Sequence, residues 1–256
     1  MISERAAMTE ETTFFTYDVF CEKLSSLCRR AGLKEQEDAA ARKLYTVCTR
    51  LCECSRRFNL TAIHDPEEIL RKHITDSLFF AAAIEKSGAD SLIDIGSGAG
   101  FPSLPTAAVL PSVDVCALDS TAKKTVYMKE TAIGAGISNF RSVAARAEEA
   151  GHTGAMRETF GAAGARAVAN LRVLLELCTP FVRRGGVFVA MKGESAKEEA
   201  REAKSAAKLL GCELSDIAEY SVPDLSDKRF LLIYQKISPA KQLYPRNFSQ
   251  ITKKPL

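Results

Sequence analysis

Asp94, the glycines at 96, 98 and 100, and Asp119 are the residues whose types and spacing first suggest chemistry. The first four lie in Ser91-Leu92-Ile93-Asp94-Ile95-Gly96-Ser97-Gly98-Ala99-Gly100-Phe101-Pro102, and Asp119 closes Val113-Asp114-Val115-Cys116-Ala117-Leu118-Asp119. Glycines at alternate positions let a ligand approach the backbone closely. A carboxylate nineteen positions after Gly100 is close to the roughly twenty expected of an acid that binds ribose hydroxyls. This chemistry needs two neighbouring parallel strands with a loop at their carboxyl ends, and a helix after the loop, where Pro102 suits the first turn. The same residues also fit an ordinary turn, with Asp119 capping the following helix.

The spacing narrows the ligand. A dinucleotide fingerprint needs a third glycine three places after the second, and that place holds Phe101. No G-x-x-x-x-G-K-[ST] phosphate loop occurs in the chain. A ligand with an adenosine end and an amino-acid end but no phosphate fits better, and S-adenosyl-L-methionine is such a ligand.

The remaining composition excludes several classes. Eight cysteines contain no C-x-x-C pair, and Cys48, Cys52 and Cys54 have no accompanying histidine pair, so buried free thiols are expected. His64, His73 and His152 show no metal-binding spacing, and no metal is expected. No apolar run is long enough to cross a bilayer, and the polar, acidic residues 1–11 do not resemble a signal peptide. A cytoplasmic protein acting as a monomer is expected. Seven basic residues and no acids follow position 227, whereas the first 227 residues hold 28 basic against 32 acidic. A basic end on a mildly acidic body suits a polyanionic partner, or is simply a solvated tail.

Periodicity places the elements. Apolar residues recur at helical spacing from Phe15 to Gly32 and from Glu35 to Arg56. A third helix is expected from Asp65, as cap, to Lys86, closed by Gly88. From 91 onward strands alternate with helices: strands at 91–95, 113–118, 140–144, 162–167 and 187–191, with helices at 123–134, 171–180 and 194–210. Strands near 212–221 and 229–236 are joined too briefly for a crossover, so they pair antiparallel. The fold class is α/β. The expected architecture is a Rossmann-like methyltransferase sheet, mostly parallel with an antiparallel last strand, after an N-terminal helical extension. The expected parts are the extension at 1–88, the methyltransferase domain at 89–236, and a basic C-terminal tail at 237–256 packing on it or extending from it.

Several further motifs resemble one family. Asn59-Leu60-Thr61 with Asp65-Pro66-Glu67-Glu68, the Arg71 to Leu78 run RKHITDSL, and DIGSGAGFPSLP at 94–105 are similar to signatures of the RsmG (GidB) family. So are Ser142 to Glu149, Ala165-Arg166-Ala167-Val168-Ala169, Lys192-Gly193, Tyr244-Pro245-Arg246 and Lys254-Pro255-Leu256. The resemblance implies a bacterial methyltransferase acting on guanine N7 in 16S ribosomal RNA of the small subunit. It implies cofactor contacts from Gly96, Phe101, Ala147, Glu148 and Arg166, with Arg146 and Arg166 near the cofactor and the target base and candidates for positioning that base. Strand position adds Asp119, with Ser120 and Thr121 beside it, and places Asp94 at the loop or the methionine end. Asn59, His73 and Asp76 fit either the site or helix packing. Lys192, Lys241, Tyr244, Arg246, Lys253 and Lys254 are the expected RNA contacts. Guanine N7 carries a free lone pair, so no general base is expected.

One segment departs from the family pattern. Phe160-Gly161-Ala162-Ala163-Gly164-Ala165-Arg166 lacks the usual acid, and its glycines weaken a strand interior. That departure keeps open an RNA-binding assembly factor without catalysis. A methyltransferase with a non-RNA acceptor is the other alternative.

Overall fold

The computed structural model describes residues 15–34, 38–55, 60–166, 169–222 and 227–256. Asn59, Ala167 and Val168, singled out above, lie outside them.

Two amphipathic helices open the described chain, α1 (Tyr17–Ala31) and α2 (Asp38–Ser55). Next comes the expected third helix, but not as one regular rod. Asp65 caps α3 (Pro66–Glu68) by accepting the Glu68 N–H at 2.9 Å. A π-helical segment, Ile69–Thr75, then leads into α4 (Asp76–Ser87). The Thr75 hydroxyl donates to the Leu70 carbonyl and the Ser77 hydroxyl to the His73 carbonyl. Such widened turns are frequent at functional sites because they re-aim side chains.

The sheet then builds in alternation: β1 (Ser91–Ile95), α5 (Ser103–Val109), β2 (Asp114–Asp119), α6 (Ala122–Gly134) and β3 (Phe140–Ala144). The short α7 (Ala147–Ala150), β4 (Phe160–Arg166), α8 (Leu171–Cys178) and β5 (Val182–Lys192) follow. The expected 194–210 helix is two pieces, α9 (Ala196–Glu202) and α10 (Lys204–Leu209), interrupted at Ala203. Strands β6 (Cys212–Tyr220) and β7 (Arg229–Lys236) precede a final short helix, α11 (Phe248–Lys253). Pro102 sits one residue ahead of α5, in the loop rather than inside the helix. Strand β5 begins five residues earlier than its apolar run, so Arg184-Gly185-Gly186 falls within it.

The strand order is β3-β2-β1-β4-β5-β7-β6. Strands β1 to β5 are parallel, and β7 runs antiparallel to both β5 and β6. Alternate residues feed opposite faces, as the period of two requires. Leu92, Val115 and Ala117 join one core with α1, α2, α4, α5 and α6. Ile93, Cys116 and Leu118 join the other with α8, α9 and α10. The N-terminal helices therefore share a continuous core with the sheet.

The glycine-rich segment does form a strand. It lies between β1 and β5, and Gly164 pairs in register with Asp94 and Val189. A side chain on Gly164 would collide with the Phe80 ring of α4, which is fully buried. Glycine weakens a strand in isolation. Here it admits an aromatic from the covering helix, and that packing outweighs the lost propensity.

Candidate active site

The carboxyl edge of the parallel strands carries two adjoining features. One is a cleft of about 160 Å³. The other is a buried cluster of charged and aromatic side chains.

Gly96, Asp119, Ser120, Arg146, Ala147 and Glu148 meet at the cleft. The loop after β1 reaches it because all three of its glycines have positive φ. At Gly100, with φ of 88°, a Cβ would also strike the Leu104 side chain. Asp119 holds the loop in place: one carboxylate oxygen accepts the Gly98 N–H at 2.9 Å, the other the Thr121 N–H at 2.8 Å. Each oxygen has a further lone pair. Thr121 itself lies outside the cleft lining and serves through its backbone. Arg146, expected near the cofactor and the target base, lines this cleft. Ile95, Leu118 and Ala145 line it beside their expected neighbours in the chain, whereas Leu177 of α8 and Phe248 of the C-terminal segment had no sequence signal as cofactor contacts. Their approach depends on contacts between distant parts of the chain.

Phe101 and Arg166, expected among the cofactor contacts, lie outside this cleft and belong to the second feature. At the end of β4, Arg166 donates to the Lys72 carbonyl at 3.1 Å and to His73 Nδ1 at 2.9 Å. Its guanidinium stands 3.7 Å from the Asp76 carboxylate and 5.8 Å from the centre of the Phe101 ring. His73 stacks on Phe101 with ring centres 4.8 Å apart. Asp76 also faces Arg229 at 3.6 Å and accepts the Tyr220 hydroxyl proton at 3.0 Å.

The chemistry of the donors settles the His73 tautomer. Arginine can only donate, so Nδ1 accepts and the ring proton sits on Nε2, 3.1 Å from the Thr61 hydroxyl oxygen. Burial, then the Arg166 and Lys72 charges, push the His73 pKa down to about 3, which keeps the ring neutral. At Asp76 burial raises the pKa and outweighs the two arginines that oppose it. Thr61, His73 and Asp76 thus act together with Phe101 and Arg166, tying the NLT, RKHITDSL, glycine-loop and ARAVA stretches into one constellation.

Asp94 lies where the two features meet. It is buried, with Ser97 and Ser103 facing its carboxylate, but neither oxygen receives a well-formed hydrogen bond. Burial pushes its pKa up to about 6, against the pull of Ser97, Ser103 and the Arg166 charge. A buried carboxylate without partners is costly unless a cation or donor completes it. The cleft and the orphaned acid together fit S-adenosylmethionine. Gly96 offers bare backbone and Asp119 a carboxylate for ribose hydroxyls, and Asp94, buried next to Ile95 and Gly96 of the lining, adds negative charge behind the loop.

The expected RNA contacts divide sharply. Lys241, Lys253 and Lys254 are exposed. The side chains of Arg246, Lys192 and Tyr244 are committed inward. Arg246 makes a two-pronged pair with fully buried Glu176, at 2.7 and 2.6 Å. Lys192 binds Glu199 at 2.8 Å and the Ala169 carbonyl at 2.7 Å. Tyr244 is buried in the core beneath α8. These three use their polar or apolar surface within the fold, unlike the three exposed lysines. The described cysteines are all free, and Cys21 and Cys54 are only partly buried. No group of three or more potential metal ligands occurs among the described residues, and no described helix is long and apolar enough to cross a membrane.

The sheet order, the antiparallel β7, and the glycine loop opening toward an acid at the end of β2 define a Rossmann-like S-adenosylmethionine-dependent methyltransferase. An S-adenosylmethionine-dependent O-methyltransferase from Thermotoga maritima shares this fold, with a TM-score of 0.50 and 16% identity, over 75% of this chain and 72% of the other. The model of the family rRNA small subunit methyltransferase G matches residues 40–229. Ribosomal RNA small subunit methyltransferase G of Acetivibrio thermocellus is 40% identical over 86% of this chain and 90% of its own. The protein of the same name from Clostridium beijerinckii is 40% identical over 93% and 99%. The chain belongs to the rRNA small subunit methyltransferase G family.

Proposed function

We propose that this chain transfers the methyl group of S-adenosylmethionine to N7 of a guanine in 16S ribosomal RNA of the small subunit, acting in the cytoplasm. Family membership supports the class of acceptor. The observation that carries the reading is the junction at Asp94. Its register partner on β4, Gly164, lies two residues before Arg166, so the cofactor cleft and the charged cluster adjoin along one sheet edge. A donor held in the cleft and a base held at the cluster would be neighbours.

The residues divide the work by position. Asp119 and Gly96 hold the adenosine end, and Asp94 draws in the cationic end. S-adenosylmethionine supplies an electrophilic methyl group. Guanine N7 attacks with its own lone pair, so the protein contributes proximity and orientation rather than a base. Phe101 and His73 are buried and stacked on each other, and they hold the guanidinium of Arg166, the least buried of the three, beside that position, where it would meet an unstacked base. Lys241, Lys253 and Lys254 supply phosphate contacts. The glycine-rich segment no longer favours an assembly factor without catalysis on the ground of a lost strand, since β4 forms and pairs with β1 over Ala162–Gly164 and with β5 through Arg166.

The test is transfer of labelled methyl to 16S RNA and to small subunits from cells lacking this protein, with the product mapped by chemical cleavage at N7-methylguanine. Label at one guanine is expected. Label on no RNA substrate, or on an atom other than N7, overturns the reading.

A further inference from the structure

The C-terminal segment leaves an aromatic ring beside the cofactor cleft. Phe248 opens α11, lines the cleft, and is 41% exposed. An exposed phenylalanine on a short terminal helix carries little meaning if the helix is loose, but this one is held from several sides. Arg157 donates to the carbonyls of Ala240, Lys241 and Tyr244. His152 bonds the Pro245 carbonyl at 2.7 Å. Two residues before Phe248, Arg246 grips Glu176 with its guanidinium and its backbone N–H. Glu176 directly precedes Leu177, the apolar cleft residue supplied by α8. One buried ion pair therefore sets the spacing of these two apolar wall residues.

The rest of the lining fixes which part of a ligand meets this wall. Asp119 and Gly96, at the ends of β2 and β1, are the polar side suited to a ribose. Ala147 and Arg146 lead away from β3, and the Arg146 guanidinium stands 6.0 Å from the centre of the Phe248 ring, a cation–π contact that orders both. A flat apolar group attached to the ribose falls between them. Ligand sites are mostly apolar walls with a few placed polar groups, and an aromatic ring contributes large contact area at small entropic cost.

We infer that Phe248 is a cofactor-binding residue: it forms the wall against which the purine base of S-adenosylmethionine packs, and the C-terminal segment is a built part of the cofactor site. The inference rests on the methyltransferase reading above. It gives the Arg246–Glu176 pair a role as a positioning device for that wall.

Calorimetry of the full chain with S-adenosylmethionine and, separately, with adenosine tests it. Phe248→Ala is expected to weaken both ligands by a similar factor, roughly tenfold, within the range of base–aromatic contacts. Phe248→Tyr is expected to stay within about twofold of wild type, since it keeps the same ring. Phe248→Leu, which preserves apolar cover, is expected to fall between them and guards against a folding defect. The thermal midpoint without ligand is expected to fall only slightly, because the ring is 41% exposed and the segment is held by other contacts. Equal affinity of wild type and Phe248→Ala for both ligands overturns the inference. So does a loss confined to S-adenosylmethionine, which would place the ring at the methionine end, or a loss of RNA affinity with cofactor affinity intact. A wild-type protein that binds neither ligand would instead defeat the methyltransferase reading.

Discussion

His73 shows how much one side chain can be asked to do without being ionised. It stacks on Phe101, accepts from Arg166 and faces the Thr61 hydroxyl. The consequence for stability has a definite sign. Its pKa falls from 6.5 to about 3 on folding, so between those values the unfolded chain holds the extra proton and stability rises with pH. Asp94 acts in the opposite sense. Its pKa rises from 3.8 to about 6, so the native state holds the extra proton in that window and stability falls as pH rises. The two offset each other over most of the interval. His73→Gln removes the first contribution and retains an acceptor for Arg166. Relative to wild type, the variant's stability is expected to decline from pH 4 to pH 6. Urea titrations of both proteins at several pH values measure this, and parallel profiles would show that His73 is not held neutral.

At the scale of elements, β4 is the informative case. Its composition argues against a strand, and its position argues for nothing else. Strand β1 on one side and β5 on the other supply all its ladder partners, and Phe80 of α4 fills the space that a side chain at 164 would need. Gly164→Ala is therefore expected to cost about 1–3 kcal/mol by overpacking. Phe80→Leu creates space at the same point. Combined with Gly164→Ala it is expected to be less damaging than the two single losses added together. Denaturant midpoints for the four proteins of this cycle give the coupling, and simple additivity would remove Phe80 as the reason for the glycine. The π-helical segment is a similar lesson. Periodicity reads one helix from Asp65 to Lys86, whereas the extra residue in the turn decides that His73 and Asp76 can both face Arg166.

Across the whole molecule the basic C-terminal end separates into two populations. Arg246 is spent on Glu176 and Lys236 is buried against the Thr179 and Leu210 carbonyls, while Lys241, Lys253 and Lys254 face solvent. If the exposed three meet phosphates, replacing all three by Gln is expected to lower the slope of log affinity against log salt by about 2 on single-stranded RNA. An unchanged slope in filter-binding titrations would place the RNA elsewhere. The chain order of strands, the alternation of their two faces, the glycine loop, the Asp65 cap and the acid at the end of β2 were all legible in the residues, because each follows from short-range backbone preferences and local hydrophobic period. Cofactor class followed from the same local spacing. What residue order could not show was which charges and rings meet. Arg246 and Lys253 look alike as basic residues near an aromatic, yet one has a buried carboxylate seventy positions away and the other is exposed. Arg166 and Phe101 meet in a cluster with His73, and Phe248 lines the adjoining cleft. Those assignments depend on long-range packing and on the cost of burying an unpaired charge, and they exist only once the sheet and its covering helices have closed.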